Sequence, residues 1–100
     1  MSLGRRDAAQ RLAHLFCELE VRLGMVGLAG DGRYDLALTQ TDLAECLGLS
    51  PVHMNRTVQH LRREGLAEFC DGRVHLPDQA RIRRFAEFDV DYLYPGRQPQ

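Results

Sequence analysis

Apolar residues recur at Ala8, Leu12, Leu15, Phe16, Leu19, Leu23 and Val26. These three- and four-residue steps line one face of a helix, so the spacing predicts a long scaffold helix over about 5–26. Gly27, Gly30 and Gly32, with Asp31 among them, break that period and read as an exposed loop. Tyr34-Asp35-Leu36-Ala37-Leu38 then alternates as a short strand does.

From Thr39 the helical period returns twice. The Thr39 hydroxyl can cap a first helix, with Asp42 near its positive end, and Leu43, Ala44 and Leu47 mark the inner face. Gly48 stops that helix where a left-handed backbone is needed and Leu49 turns inward. Ser50 and Pro51 restart it, serine as the cap and proline at the first helical position, where its missing N–H has no partner to lose. The second helix buries Met54, Thr57, Val58 and Leu61, with Leu66 arriving after the stop at Gly65. Two helices around a glycine corner over about 39–64 make a helix-turn-helix. The runs 66–70 and 73–76 flank Asp71-Gly72, a pair suited to the two positive φ values of a type I′ turn, and predict a β-hairpin. Asp78 caps a last helix over about 78–87, with Ile82, Phe85 and Ala86 turned to the scaffold helix. Arg81, Arg83 and Arg84 read as its solvated face, balanced by Glu87, Asp89 and Asp91. Tyr92, Leu93 and Tyr94 anchor a tail that frays from Pro95 onward. No internal repeat is apparent.

The outer side of the second helix collects Val52, Arg56, Gln59 and Arg63, flanked by His53, Asn55 and His60, with no acid among them. A helix fits the major groove of B-DNA, where arginine pairs twice with guanine, asparagine or glutamine with adenine, and an apolar side chain meets the thymine methyl. An ordinary solvated face is the plainer reading of the same residues. A third is a protein-contact module, in which Val52 and Met54 belong to an interface.

The stretches RLAHLFCELEVRLGMVGL from Arg11 and YDLALTQTDLAECLGLSPVHMNRTVQHLRREGL from Tyr34 resemble the C-terminal DNA-binding domain of Crp/Fnr transcription regulators. The resemblance implies a mainly α, α+β fold: a winged helix-turn-helix occupying residues 1–100, with the hairpin 66–76 as its wing. It also implies a homodimer on a two-fold site in double-stranded DNA, and a separate N-terminal sensor domain, absent from this chain, whose effector is a cyclic nucleotide, heme or an iron–sulfur cluster. Family members usually read bases through an acid followed four positions later by an arginine. Here the arginine is Arg56 and the acid's place is held by Val52, so a carboxylate contact to cytosine is lost. Asn55 matches a base-reading serine, and His53 a small hydroxyl residue that meets phosphate. Val52, His53, Asn55, Arg56 and Gln59 are therefore the expected base readers. Thr39, Gln40, Thr41 and Ser50 match positions that grip the DNA backbone at helix starts, joined by His60, Arg63 and, just past the hairpin tip, Arg73. The loop Ala29 to Arg33 matches one that touches RNA polymerase in some activators.

Composition narrows the class. One hundred residues, 44% of them hydrophobic, allow one small core. Thirteen basic residues against 14 acidic give a net charge of −1, so a nucleic-acid partner requires arginines gathered on one surface. Arg5, Arg6 and Arg11 at the start of the scaffold helix are further phosphate candidates, with a solvated face as the alternative. Cys17, Cys46 and Cys70 form no disulfide or metal pattern, and Cys17 and Cys46 read as buried free thiols of a cytoplasmic protein. Met1-Ser2-Leu3 reads as a cloning remnant of an excised domain. No membrane span or signal peptide is apparent. The four histidines are scattered over three elements, and no nucleophile elbow, phosphate loop or HExxH motif occurs. His53 and His60 are seven apart but lack a third ligand. Neither an enzyme, nor a metal site, nor a cofactor in this domain is expected.

Overall fold

The computed structural model describes residues 7–87. They form α1 (Ala8–Met25), β1 (Ala29–Gly30), β2 (Arg33–Asp35), α2 (Gln40–Leu47), α3 (Pro51–Arg63), β3 (Glu68–Cys70), β4 (Arg73–His75) and α4 (Gln79–Ala86). Arg5, Arg6, Asp89, Asp91 and the tail residues Tyr92, Leu93 and Tyr94 lie outside the described residues.

Helix α1 is the hub, packing against α3 and α4 and touching α2, β1 and β2. Partners on both flanks need a wide buried face. Ala9, Leu12, Ala13, Phe16, Cys17 and Val21 are buried, while Leu15, Leu19 and Leu23 pack half-buried along its edge. Val26, expected on that face, lies past the end of α1 and is 67% exposed. Cys46 is also exposed rather than buried, because the inner face of the short α2 is taken by Leu43 and Ala44. The inner faces of α3 and α4 are Met54, Thr57, Val58 and Leu61, and Ile82 and Ala86.

The strands form one antiparallel sheet in the order β1-β2-β4-β3. The hairpin expected over 66–76 is β3–β4, with Asp71 at φ 54° and Gly72 at φ 73°, as a type I′ turn requires. The expected loop over 27–33 is instead a second hairpin, β1–β2, turning through Asp31 at φ 55° and Gly32 at φ 73°, and Gly32 is buried. The two hairpins are joined through β2 and β4: Leu36 N donates to Gly72 O and Leu76 N to Gly32 O, both at 2.7 Å. This pairing exposes a short internal repeat, Asp31-Gly32-Arg33-Tyr34-Asp35-Leu36 against Asp71-Gly72-Arg73-Val74-His75-Leu76, which corrects the reading of a chain without one. Tyr34 and Val74 face each other in the register and both point into the core, where the Tyr34 hydroxyl donates to Phe16 O at 2.8 Å.

One charged network sits half-buried beneath the β1–β2 hairpin. Glu20, 8% exposed, accepts from Arg83 Nη2 at 3.2 Å, so Arg83 ties α4 to α1 rather than standing on a solvated face. With its amide turned to satisfy both neighbours, Gln79 donates to Glu20 Oε2 at 3.0 Å and accepts from Gly32 N at 3.1 Å. Burial pushes the nearby Cys17 thiol up to about 12, the Arg83 guanidinium opposing and Glu20 adding to the rise. Burial, with Glu20 and Cys17 adding to it, raises the Tyr34 hydroxyl as well, so both groups stay neutral in the core.

Candidate nucleic-acid interface

The corner between α2 and α3 sets the angle of the exposed helix. Gly48 sits at φ 70°, ψ 32°, its N–H bonded to Glu45 O at 3.2 Å and the Leu49 N–H to Ala44 O at 2.8 Å. These are the two closing bonds of a Schellman motif, and they turn Leu49 onto the core. Ser50 Oγ accepts from His53 N at 3.1 Å, and Pro51 occupies the first position of α3. Gly65 ends α3 in the same way, with Leu66 N bonded to Leu61 O at 2.9 Å.

Two arginines expected to meet phosphate or solvent instead hold the ends of these helices. Arg11 of α1 donates from Nη2 to Leu47 O, at the C-terminus of α2. Arg81 of α4 donates from Nη1 to Glu64 O at the end of α3, and its other amine lies 3.9 Å from the Glu64 carboxylate. Each places a cation on carbonyls that carry the negative end of a helix dipole.

With α3 held in this way, Val52, His53, Asn55, Arg56, Gln59 and Arg63 are exposed and His60 is half-buried on its outer side. The inward Thr57 hydroxyl is satisfied by His53 O at 2.8 Å, so no polar group of that turn competes for the outer face. Among the described residues, Arg22, Arg73, Arg81 and Arg83 each meet a carboxylate. Arg56, Arg62 and Arg63 of α3 have no hydrogen-bond or ion-pair partner there, and neither do Arg33 of β2 and Arg84 of α4, but α3 alone gathers three such arginines on one element. An acid does stand near, where sequence reading saw none. Asp7, the cap of α1, lies across a cleft of about 320 Å³ lined also by His53, Arg56 and His60. Its sequence neighbours in α1 held no hint of this, since the approach of α1 to α3 spans nearly fifty residues.

The residues expected to grip the DNA backbone lie on several elements: the starts of α2 and α3, the outer side of α3, and β4. At the start of α2, Thr39 Oγ1 accepts from Asp42 N at 3.0 Å and Thr39 N donates to Asp42 Oδ2 at 2.9 Å. This capping box occupies the Thr39 amide and leaves the first-turn amides of Gln40 and Thr41 without intrahelical partners. Arg73 on β4 faces Asp35 across the ladder at 3.5 Å, both more than four-fifths exposed. No group of three or more metal-ligating side chains occurs among the described residues, and no described helix is long and apolar enough to cross a membrane.

Comparison with known proteins decides the family. The profile of the Crp-like helix-turn-helix domain matches residues 10–85. The chain belongs to the Crp/Fnr family. Over 83 residues it is 30% identical to the nitrogen fixation regulation protein FixK of Azorhizobium caulinodans, covering 82% of this chain and 34% of that protein. Among solved structures, FixK2 from Bradyrhizobium japonicum superposes with a TM-score of 0.66 at 26% identity, over 84% of this chain and 40% of that one. A CRP/FNR family transcriptional regulator from Thermus thermophilus shares the fold, with a TM-score of 0.63 at 24% identity over 86% and 43%. This Crp/Fnr chain thus spans about a third of FixK and about two fifths of its solved relatives. The matched region is the family's helix-turn-helix domain, and these relatives are regulators.

Proposed function

We propose that α3 enters the major groove of a two-fold DNA site and that the full-length protein binds as a homodimer. The observation that carries this is the clustering of unengaged arginines: carboxylates neutralise Arg22, Arg73, Arg81 and Arg83, and of the five described arginines without a partner, Arg56, Arg62 and Arg63 stand together on α3 while Arg33 and Arg84 are single residues on β2 and α4. A net charge of −1 gives little general attraction to a polyanion, so attraction depends on where unpaired arginines are gathered, and α3 gathers the most. Val52, His53, Asn55, Arg56 and Gln59 address base edges. Gln40, Thr41 and Ser50 offer helix-start groups to phosphates, with Thr39 contributing through its hydroxyl, and His60, Arg63 and Arg73 flank them. The ion pair of Arg73 with Asp35 is exposed and weak enough to be exchanged for a phosphate.

The rest follows from the family. The greater length of its relatives leaves room for a sensor domain. CprK has been solved in complex with o-chlorophenolacetic acid, and CooA is a CO-dependent transcription factor, so the sensed ligand varies among solved relatives. A cytoplasmic location, and an RNA polymerase contact on the turn of the first hairpin at Ala29 to Arg33, belong to the same reading.

Arg56→Ala tests it. Arg56 is exposed and outside the core, so the variant keeps its melting temperature and loses about 1–3 kcal/mol of specific binding per half-site, read by fluorescence anisotropy on a selected duplex. Affinity of the parent falls steeply with added salt as phosphate contacts release counterions. A salt-insensitive parent points to a protein-contact surface. A variant that melts early yet keeps its affinity per folded molecule makes Arg56 structural.

A further inference from the structure

Asn55 and Gln59, one turn apart on the outer face of α3, are joined by a hydrogen bond from Gln59 Nε2 to Asn55 Oδ1 at 3.0 Å. Both residues are exposed, so burial does not force them together; the i, i+4 spacing of a helix does. The bond uses one N–H of Gln59 and one lone pair of Asn55, leaving the Gln59 carbonyl and the Asn55 amine without a partner among the described residues. Exchanging oxygen and nitrogen in both amides reverses the bond and leaves the same pattern, one donor beside one acceptor. Each side chain favours the paired rotamer of the other, so part of the ordering entropy that a lone amide loses on binding is already lost. Along the same stripe of the helix, one turn toward its start, stands Val52, an apolar side chain 62% exposed. Arg56 occupies the other edge of the face, beside His53 and His60.

We propose that Asn55 and Gln59 act as a single reading unit for adenine, with Val52 against a thymine methyl, so that this edge of α3 specifies A·T pairs. The assignment rests on the DNA-binding reading above. In the major groove adenine presents an acceptor, N7, next to a donor, N6, the complement of the paired amides. Guanine presents two acceptors and repels the carbonyl. A G·C pair also sets an acceptor beside a donor, through guanine O6 and cytosine N4, and what separates the two cases is the methyl group. Only thymine carries one, and Val52 is the neighbour suited to it. The two amides and the valine thus share one preference, whereas Arg56 across the face favours guanine.

The test selects preferred duplexes from random DNA at low salt with this chain held as a dimer by a short parallel coiled coil fused ahead of Ala8. Affinities are then measured for the parent, Asn55→Ala, Gln59→Ala and the double variant, on the selected duplex and on duplexes altered at single base pairs. Alanine is the strongest helix former, so these exposed positions keep α3 intact, which thermal melting verifies. The parent is expected to lose about 10-fold in affinity when one A·T pair per half-site is replaced. Each single variant loses most of that discrimination at the same pair, and the double variant loses no more than either single one. Additive losses, or losses at two different base pairs, overturn the unit. Selection of G·C at that pair overturns the adenine assignment while leaving DNA binding by α3 standing. A parent that selects no sequence overturns both.

Discussion

Gly32 and Gly72 occupy the same place in two equivalent turns and differ only in what surrounds them. Both have φ of 73°, a backbone that costs an ordinary residue about 1–2 kcal/mol. A Cβ on Gly72 meets Leu36 O at 3.5 Å, an ordinary contact, but a Cβ on Gly32 falls 2.5 Å from Leu76 O, the backbone that joins the two hairpins. Gly72→Ala should therefore lower stability by about 1–2 kcal/mol. Gly32→Ala should cost at least about 1 kcal/mol more, since the clash is with main chain that cannot rotate away. Urea denaturation at unchanged slope reads the difference, and equal midpoints would show that β2–β4 pairing yields without cost. Sequence reading found the second of these turns and missed the first. Around Asp71-Gly72 the flanking runs are long enough to show alternation. Strand β1 is two residues long and follows two other glycines, so no period survives to be seen. The shared Asp-Gly-Arg of the two turns was the available signal.

At the scale of elements, the helix boundaries around the corner were legible because their determinants are local: a capping hydroxyl, a proline, a left-handed glycine. What holds those helices in place was not, because it comes from far along the chain. Arg11 lies 36 residues from the carbonyl it caps, and Arg81 lies 17 from its own. Arginine on a polar helix face looks the same whether it awaits a phosphate, faces water or reaches a distant carbonyl, and only the crossing of α1 over α2 and the return of α4 distinguish these cases. The distinction is measurable. Arg11→Ala removes a cap and should lower stability by about 1 kcal/mol, while leaving the salt dependence of DNA binding unchanged. Loss of about one unit from the slope of log affinity against log salt, with stability preserved, would make Arg11 a phosphate contact instead.

The whole molecule balances 13 basic against 14 acidic residues, and the described structure spends most of its arginine–carboxylate pairs away from α3. The outer side of α3 keeps Arg56, Arg62 and Arg63 without a carboxylate partner on a chain whose net charge is −1. Such a domain gains little from non-specific attraction, and a single half-site contact through one 13-residue helix provides limited affinity. Two domains held about one DNA turn apart resolve this, because capture of the first half-site presents the second domain at an effective concentration that can reach millimolar. The start of α1 at Ala8 is the place to impose that arrangement, since Asp7 and Ala8 border the same cleft as Arg56 and a helix continued upstream would run out from beside the recognition face. Fusing a short parallel coiled coil ahead of Ala8 should raise affinity for a two-fold site by roughly 100-fold or more, and for an isolated half-site hardly at all. Sedimentation fixes the oligomeric state of each form before binding is compared. Equal affinity of tethered and untethered chains for the two-fold site would refute the dimer and leave a domain that binds alone.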